Sequence, residues 1–171
     1  MLCAIAKIDH TARERLEILC RIAKEFGYAP RTLYGHLTLV TYLGEDEPDF
    51  ISRCKVSLEN QRPFSILYNK IELLLPTPSV VASPEPGAEL LSVQAKLRET
   101  APPPLDVWTS KEHWNPHTTL FYHAQADLES IAKHMKERFA LFYAEISCVE
   151  FSKATEHGFE IIDAVTLTGS C

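Results

Sequence analysis

Apolar residues crowd the first eight positions, and this run of Leu, Ile and Ala reads as a β-strand. Thr11-Ala12-Arg13-Glu14 then has the form of a capping box, with the Thr accepting from a helix amide and the Glu reaching back. Apolar positions follow at Ala12, Leu16, Leu19, Ala23 and Phe26, the spacing of one helical face, and Gly27 closes the helix. Residues 36–43 are β-branched and apolar enough for a buried strand. Gly44 and an acidic turn lead to Pro48, a good first helical position, and Phe50, Ile51, Cys54 and Leu58 form the next helical face. Residues 63–75 and 79–83 read as strands on either side of the Pro76-Thr77-Pro78 turn.

The same order returns in the second half. The pattern predicts a helix over 86–99 with Leu90, Val93 and Leu97 on one side, then a stiff Pro102-Pro103-Pro104 connector. A strand is expected over 117–123. A helix over 126–142 follows, with Leu128, Ile131, Ala132, Met135, Phe139 and Phe142 inward. Two final strands, 144–152 and 159–168, are joined by a His157-Gly158 turn. Strand, helix, strand, helix, strand thus occurs twice, which predicts an α+β or α/β architecture with helices on the outer side of a mixed sheet. One domain over 1–171 is the expectation for this length.

Charge narrows the ligand. With 17 Lys and Arg against 23 Asp and Glu, the net charge is −6. Gripping a long nucleic acid needs clustered cations to displace counterions, so that class of partner is disfavoured, although a small anion in a local cleft is not. No apolar run approaches the roughly 20 residues of a membrane span, and the N-terminus lacks the basic and apolar regions of a signal peptide. The five cysteines (Cys3, Cys20, Cys54, Cys148, Cys171) contain no CxxC pair. They read as core residues of a cytoplasmic protein, and Cys148 in particular as a core strand residue.

One motif carries chemistry. His-x-Thr-Leu occurs at His36-Leu37-Thr38-Leu39 and again at His117-Thr118-Thr119-Leu120, where chance composition predicts about 0.06 copies. Each copy opens a predicted strand, in corresponding places of the two halves. Side chains alternate along a strand, so His36, Thr38, Val40 and Tyr42 are expected on one face, and His117, Thr119, Phe121 and His123 on another. Two imidazoles and two hydroxyls around one cavity suit transfer at a phosphodiester. One His takes a proton from the attacking oxygen, the other gives one to the leaving oxygen, and the hydroxyls donate to phosphate oxygens. In that scheme His117 is assigned as base and His36 as acid.

On these residues the chain resembles the two-histidine (2H) phosphoesterase superfamily, which includes bacterial 2′-5′ RNA ligases and cyclic nucleotide phosphodiesterases. The lead-in Trp114-Asn115-Pro116-His117 matches the aromatic-x-Pro-His common there. The resemblance implies an α+β bilobal fold, two pseudo-symmetric antiparallel or mixed β-sheet lobes with outer helices and a central cleft. It carries over His36 and His117 as the acid–base pair and Thr38 and Thr119 as phosphate donors, with no metal or other cofactor. The implied substrate is a small ribose cyclic phosphate, a 2′-5′-linked nucleotide or a short RNA end. A non-catalytic nucleotide-binding module and an RNA ligase are the alternatives. Ligase-type members often carry Arg five residues after the second His, where this chain has Tyr122, on a face that a regular strand turns away from His117.

Other residues are weaker candidates. Tyr34, Trp108 and Trp114 precede the motifs and could stack a nucleobase, and His123 lines the cleft if its strand stays regular. Lys153 and His157, near the last turn, read as solvated. A metal is disfavoured, because neither motif has a carboxylate or Cys at short range on its face, and Pro116 breaks any helical pairing of His113 with His117.

Overall fold

The computed structural model describes residues 1–30, 32–156 and 158–169, so the expected turn residue His157 and the fifth cysteine, Cys171, lie outside the described residues. In chain order the elements are β1 (Leu2–Ile8), α1 (His10–Cys20), β2 (His36–Tyr42), α2 (Glu47–Leu58), β3 (Phe64–Leu74) and β4 (Ser79–Pro84). They continue as α3 (Ala88–Thr100), β5 (Thr118–Tyr122), α4 (Leu128–Arg138), β6 (Phe142–Thr155) and β7 (Gly158–Thr166). The fold is α+β, one of the two architectures that the pattern of positions allows and the one that the resemblance implies.

The differences lie at element ends. The cap of α1 is Asp9, whose carboxylate accepts from the Ala12 amide at 3.0 Å, so the helix starts one residue before the Thr11 expected to cap it. After Cys20 the chain tightens into a 3-10 segment to Phe26 and stops at Gly27, which takes the left-handed φ of 82°. Helix α4 ends at Arg138 rather than 142. Phe139 is already extended, and Phe142 is inward because it opens β6, not because it continues the helix.

A single seven-stranded sheet in the order β2-β1-β6-β3-β4-β5, with β7 also on β6, runs through both halves of the chain. Every named pairing is antiparallel, which replaces the mixed sheet expected from the alternation of elements. Strand β6 is long enough to serve three neighbours: its first residues pair with β3, and the rest lies between β1 and β7. Helices cover one face. Phe50 of α2 stacks on Tyr42 with centroids 5.1 Å apart and meets Phe151 edge-on. Leu16 of α1, Leu90 and Leu97 of α3 and Ile131 of α4 are fully buried in the same core. Burial of each such side chain contributes about 1.5–3 kcal/mol.

Both motif strands break their alternation at the motif leucine. Ile5 pairs with Thr38 but Ala4 with Val40, so Leu39 is the extra residue of a bulge. On the other side Val81 pairs with Thr119 but Val80 with Phe121, so Leu120 is the extra residue there. A bulge shifts every later side chain to the opposite face. Val40 and Tyr42 therefore join Leu37 and Leu39 in the core, and Phe121 joins Leu120, instead of following the histidines. Tyr122, 50% exposed, comes round to the side of Thr119, the reverse of what a regular strand gives.

Candidate active site

Strands β2 and β5 are the two ends of the sheet, yet side chains join them. The Thr118 hydroxyl donates to the His36 carbonyl at 2.9 Å, and the Trp114 indole N–H donates to the Thr38 carbonyl at 2.9 Å. Thr118 is 2% exposed, and its oxygen is also 2.6 Å from the hydroxyl of buried Tyr68. Its one proton goes to the carbonyl, which can only accept, so Tyr68 is the donor to Thr118. Burial pushes the Tyr68 phenol far above its usual range, which keeps that proton in place. These bonds bring the two motifs side by side. Trp114 is thus a strut, half-buried against the core.

Ile5, opposite Thr38 on β1, and Val81, opposite Thr119 on β4, are buried beside the motif threonines on the face away from the helices. Thr38 and Thr119 themselves are half-buried. Gly35 sets the entry to β2. Its φ is 79°, and a Cβ there would lie 3.0 Å from side-chain atoms of Arg13 and Ile8, so only glycine lets the chain turn into His36 at this spot.

His36 sits in a cage of rings. Tyr34 lies 5.9 Å and Phe159 5.3 Å from it, both edge-on, and the two are 5.2 Å from each other. Its Nδ1 is buried with no hydrogen-bond partner among the described residues. Burial lowers the His36 pKa from 6.5 to about 4, and the nearby His117 adds to that, while Glu150 opposes it. His36 is therefore neutral at neutral pH. Lys7, opposite His36 in register, gives a hydrogen bond of 2.8 Å to Glu150, and the Tyr34 hydroxyl gives one of 2.5 Å to the other oxygen of the same carboxylate. Glu150 is only 6% exposed.

His117 has the opposite surroundings. It is half-buried, and its Nδ1 lies 2.7 Å from the Asn115 carbonyl. A carbonyl only accepts, so Nδ1 carries the hydrogen and Nε2 is left for a ligand. The same carbonyl would equally support the charged imidazolium. A second carboxylate stands on this side. Burial works against the charge of Glu72, but hydrogen bonds from Ser83, Lys70 and Asn115 hold it below the usual carboxylate range. Two carboxylates near the motifs are thus each paired with a lysine, Lys7–Glu150 and Lys70–Glu72. None of these four, nor Thr118, Tyr68 and Phe159, stood out in the sequence. Alternation could have flagged Lys7 as a charge in an apolar strand, but Glu150 acquires its partner only through a contact 143 positions away.

The depressed His36 pKa has a consequence for stability. The unfolded chain binds this proton near pH 6.5 and the folded chain only near 4, so His36 lowers stability as pH falls through that window and has no effect above it. The expected loss by pH 5 is about 2 kcal/mol. Denaturant midpoints of wild type and His36→Gln, compared at pH 7.5 and pH 5, should diverge in favour of the variant at the lower pH only. Equal pH dependence would contradict the burial of the ring.

The remaining candidates fall elsewhere. His123 packs its ring against Tyr28 at 4.8 Å and lies on the Phe121 side of the bulge, away from the other two histidines. Trp108 is exposed and meets His113 edge-on. Lys153 forms an exposed ion pair with Glu47 of α2. Cys148 is half-buried on the Lys7 side of β6, not in the core. A groove of about 720 Å³ lies between α2 and β7, bridged by the Lys55–Asp163 ion pair at 2.6 Å, and it holds none of the motif residues. Among the described residues no three His, Cys, Asp or Glu side chains group closely enough to hold a metal ion. No described helix is long and apolar enough to cross a membrane.

The family model of the 2′-5′ RNA ligase superfamily matches residues 10–154. Among solved structures, TT0787 of Thermus thermophilus superposes with a TM-score of 0.71 at 17% identity, covering 99% of each chain. E. coli LigT complexed with ATP superposes with a TM-score of 0.62 at 18% identity, over 98% of this chain and 97% of that one. E. coli LigT complexed with 3′-AMP gives 0.63 at 18% identity, over 98% and 96%. No curated protein sequence matches the chain.

Proposed function

The chain belongs to the 2′-5′ RNA ligase superfamily, and from that premise we propose that it hydrolyses a small ribose phosphodiester, a nucleoside 2′,3′-cyclic phosphate or a 2′-5′-linked nucleotide, by two-histidine acid–base catalysis. The observation that carries this reading is the pair of side-chain bonds, Thr118 to the His36 carbonyl and Trp114 to the Thr38 carbonyl, which hold the two His-x-Thr motifs side by side. The LigT structures with ATP and 3′-AMP support a small nucleotide as the ligand class. The two halves of the sheet, each ending in a motif strand, are the two lobes in this reading, and the seam between β2 and β5 is the cleft.

The surroundings of the histidines favour roles opposite to those assigned from the sequence. His36 is held neutral, so it is ready to take a proton from water. His117, with its Nδ1–H on a carbonyl, can carry the charge and give its Nε2 proton to the departing ribose oxygen. Thr38 and Thr119 donate to the non-bridging phosphate oxygens as negative charge builds on them. Phe159, 41% exposed beside His36, is an aromatic ring better placed to meet a base than Trp114 or Trp108. Tyr122 brings a phenol where ligase-type members bring a guanidinium, and with the acidic net charge this favours hydrolysis of small substrates over joining of long RNA.

The test is a panel of 2′,3′-cyclic and 2′-5′-linked nucleotides, assayed with purified protein and with His36→Ala and His117→Ala. Turnover that each variant removes supports the proposal. Tight binding of a cyclic nucleotide that persists unchanged would make the chain a nucleotide-binding module instead.

A further inference from the structure

We propose that Glu150 is a positioning residue for His36: its buried carboxylate, clamped by Lys7 and Tyr34, is the counter-charge that stabilises the imidazolium formed when His36 takes the proton of the attacking water. This rests on reading His36 as the proton acceptor.

The argument begins with cost. A carboxylate buried as deeply as Glu150 is unfavourable unless both oxygens are satisfied. Here Lys7 donates to one oxygen and Tyr34 to the other, so both oxygens are satisfied. A purely structural role would be met as well by an apolar residue on this face, where Ile5, directly opposite in register, already lies buried. The clamp also links Glu150 to His36 physically. Lys7 is the register partner of His36 and lies over the Tyr34 ring at 5.2 Å, and Tyr34 presents its edge to the imidazole.

Four titratable groups surround His36. They are His117 from the lead-in to β5, Glu150 on β6, Lys7 on β1 and Tyr34 in the loop before β2, while β7 contributes the uncharged Phe159. Of these, Glu150 is the one whose charge favours the protonated ring. As His36 Nε2 accepts a proton from water, the hydroxide oxygen attacks phosphorus and a positive charge appears in an apolar cage. Without Glu150 the only formal charge in the clamp would be Lys7, of like sign.

The experiment pairs Glu150→Gln with Tyr34→Phe and Glu150→Asp, read by NMR titration of the His36 imidazole and by the pH profile of kcat/KM. Glu150→Gln keeps the shape and removes the charge. It should move the His36 midpoint and the acid limb down by half a pH unit or more. It should also lower kcat about tenfold with KM little changed. Tyr34→Phe removes a donor from the carboxylate, which sharpens its charge, so the midpoint should stay or move up. Glu150→Asp should restore most of the kcat. A downward shift in Glu150→Gln with none in Tyr34→Phe supports the proposal. An unmoved His36 midpoint in Glu150→Gln, or the same downward shift in both variants, overturns it. The NMR reading needs no turnover, so a protein inactive on every nucleotide would sink the proposed reaction while leaving the effect of Glu150 on His36 measurable.

Discussion

His117→Ala should lower kcat/KM on a responsive cyclic nucleotide by about 10²–10⁴, and His36→Ala by a similar factor, with the double variant no worse than the weaker single one by more than about tenfold. The size follows from what each ring does. Positioned proton transfer is worth about 3–5 kcal/mol of barrier, counted at 1.36 kcal/mol per decade. The effects should not add, because a proton cannot be delivered to the leaving oxygen usefully when none has been taken from water. The pH profile separates the roles. With His36 neutral above about pH 4, activity should persist well into mild acid. Steady-state rates from pH 4 to 9 on wild type and both variants check this. An acid limb well above pH 4 that disappears in His117→Ala would return the base role to that residue.

Thr118→Val should be the most damaging substitution at a residue that does no chemistry. Valine fits the space, but it strips the His36 carbonyl of its donor and leaves the buried Tyr68 hydroxyl with nothing to donate to. One unmet buried polar group costs about 1–3 kcal/mol, and two sharing a site come to about 2–4 kcal/mol. The same change removes the bond nearest His36 of the two that hold the motifs together, so activity should fall about a hundredfold, since small misplacements of catalytic groups cost that much. Thr118→Ser keeps the hydroxyl and should recover most of both. Chemical denaturation together with kcat on the same samples tests the pair. A stable but inactive Thr118→Val would show that the seam aligns the site without holding the fold.

The amphipathic runs made every helix and strand legible, because burial of one face is written in local spacing. What local spacing could not carry was the bulge. Leu39 and Leu120 look like ordinary inward residues of alternating strands, and the extra residue appears only against the register of β1 and β4. The faces assigned to Val40, Tyr42, Phe121 and His123 therefore went astray, while those of His36, Thr38, His117 and Thr119, which precede the bulges, did not. The mixed sheet failed for a similar reason, since strand order is set by distant pairings. The histidine motifs were legible because they are duplicated. Thr118 was not, since it occupies the position that Leu37 fills in the first copy and its value lies in a hydroxyl reaching across the seam. Glu150 and Lys7 were hidden by their separation along the chain.

The seam between β2 and β5 also bears on when, on refolding, the proposed activity would return. The Thr118 bond spans 82 positions of sequence, and it joins the two termini of the strand order rather than neighbours within it. Closing so long a loop is entropically costly and contributes nothing until both ends are in place. Helices and hairpins can form early on local contacts, but the two imidazoles meet only when the whole sheet has been laid down. Catalytic competence is then a late event of folding, and regain of turnover on refolding should trail the return of helical circular dichroism.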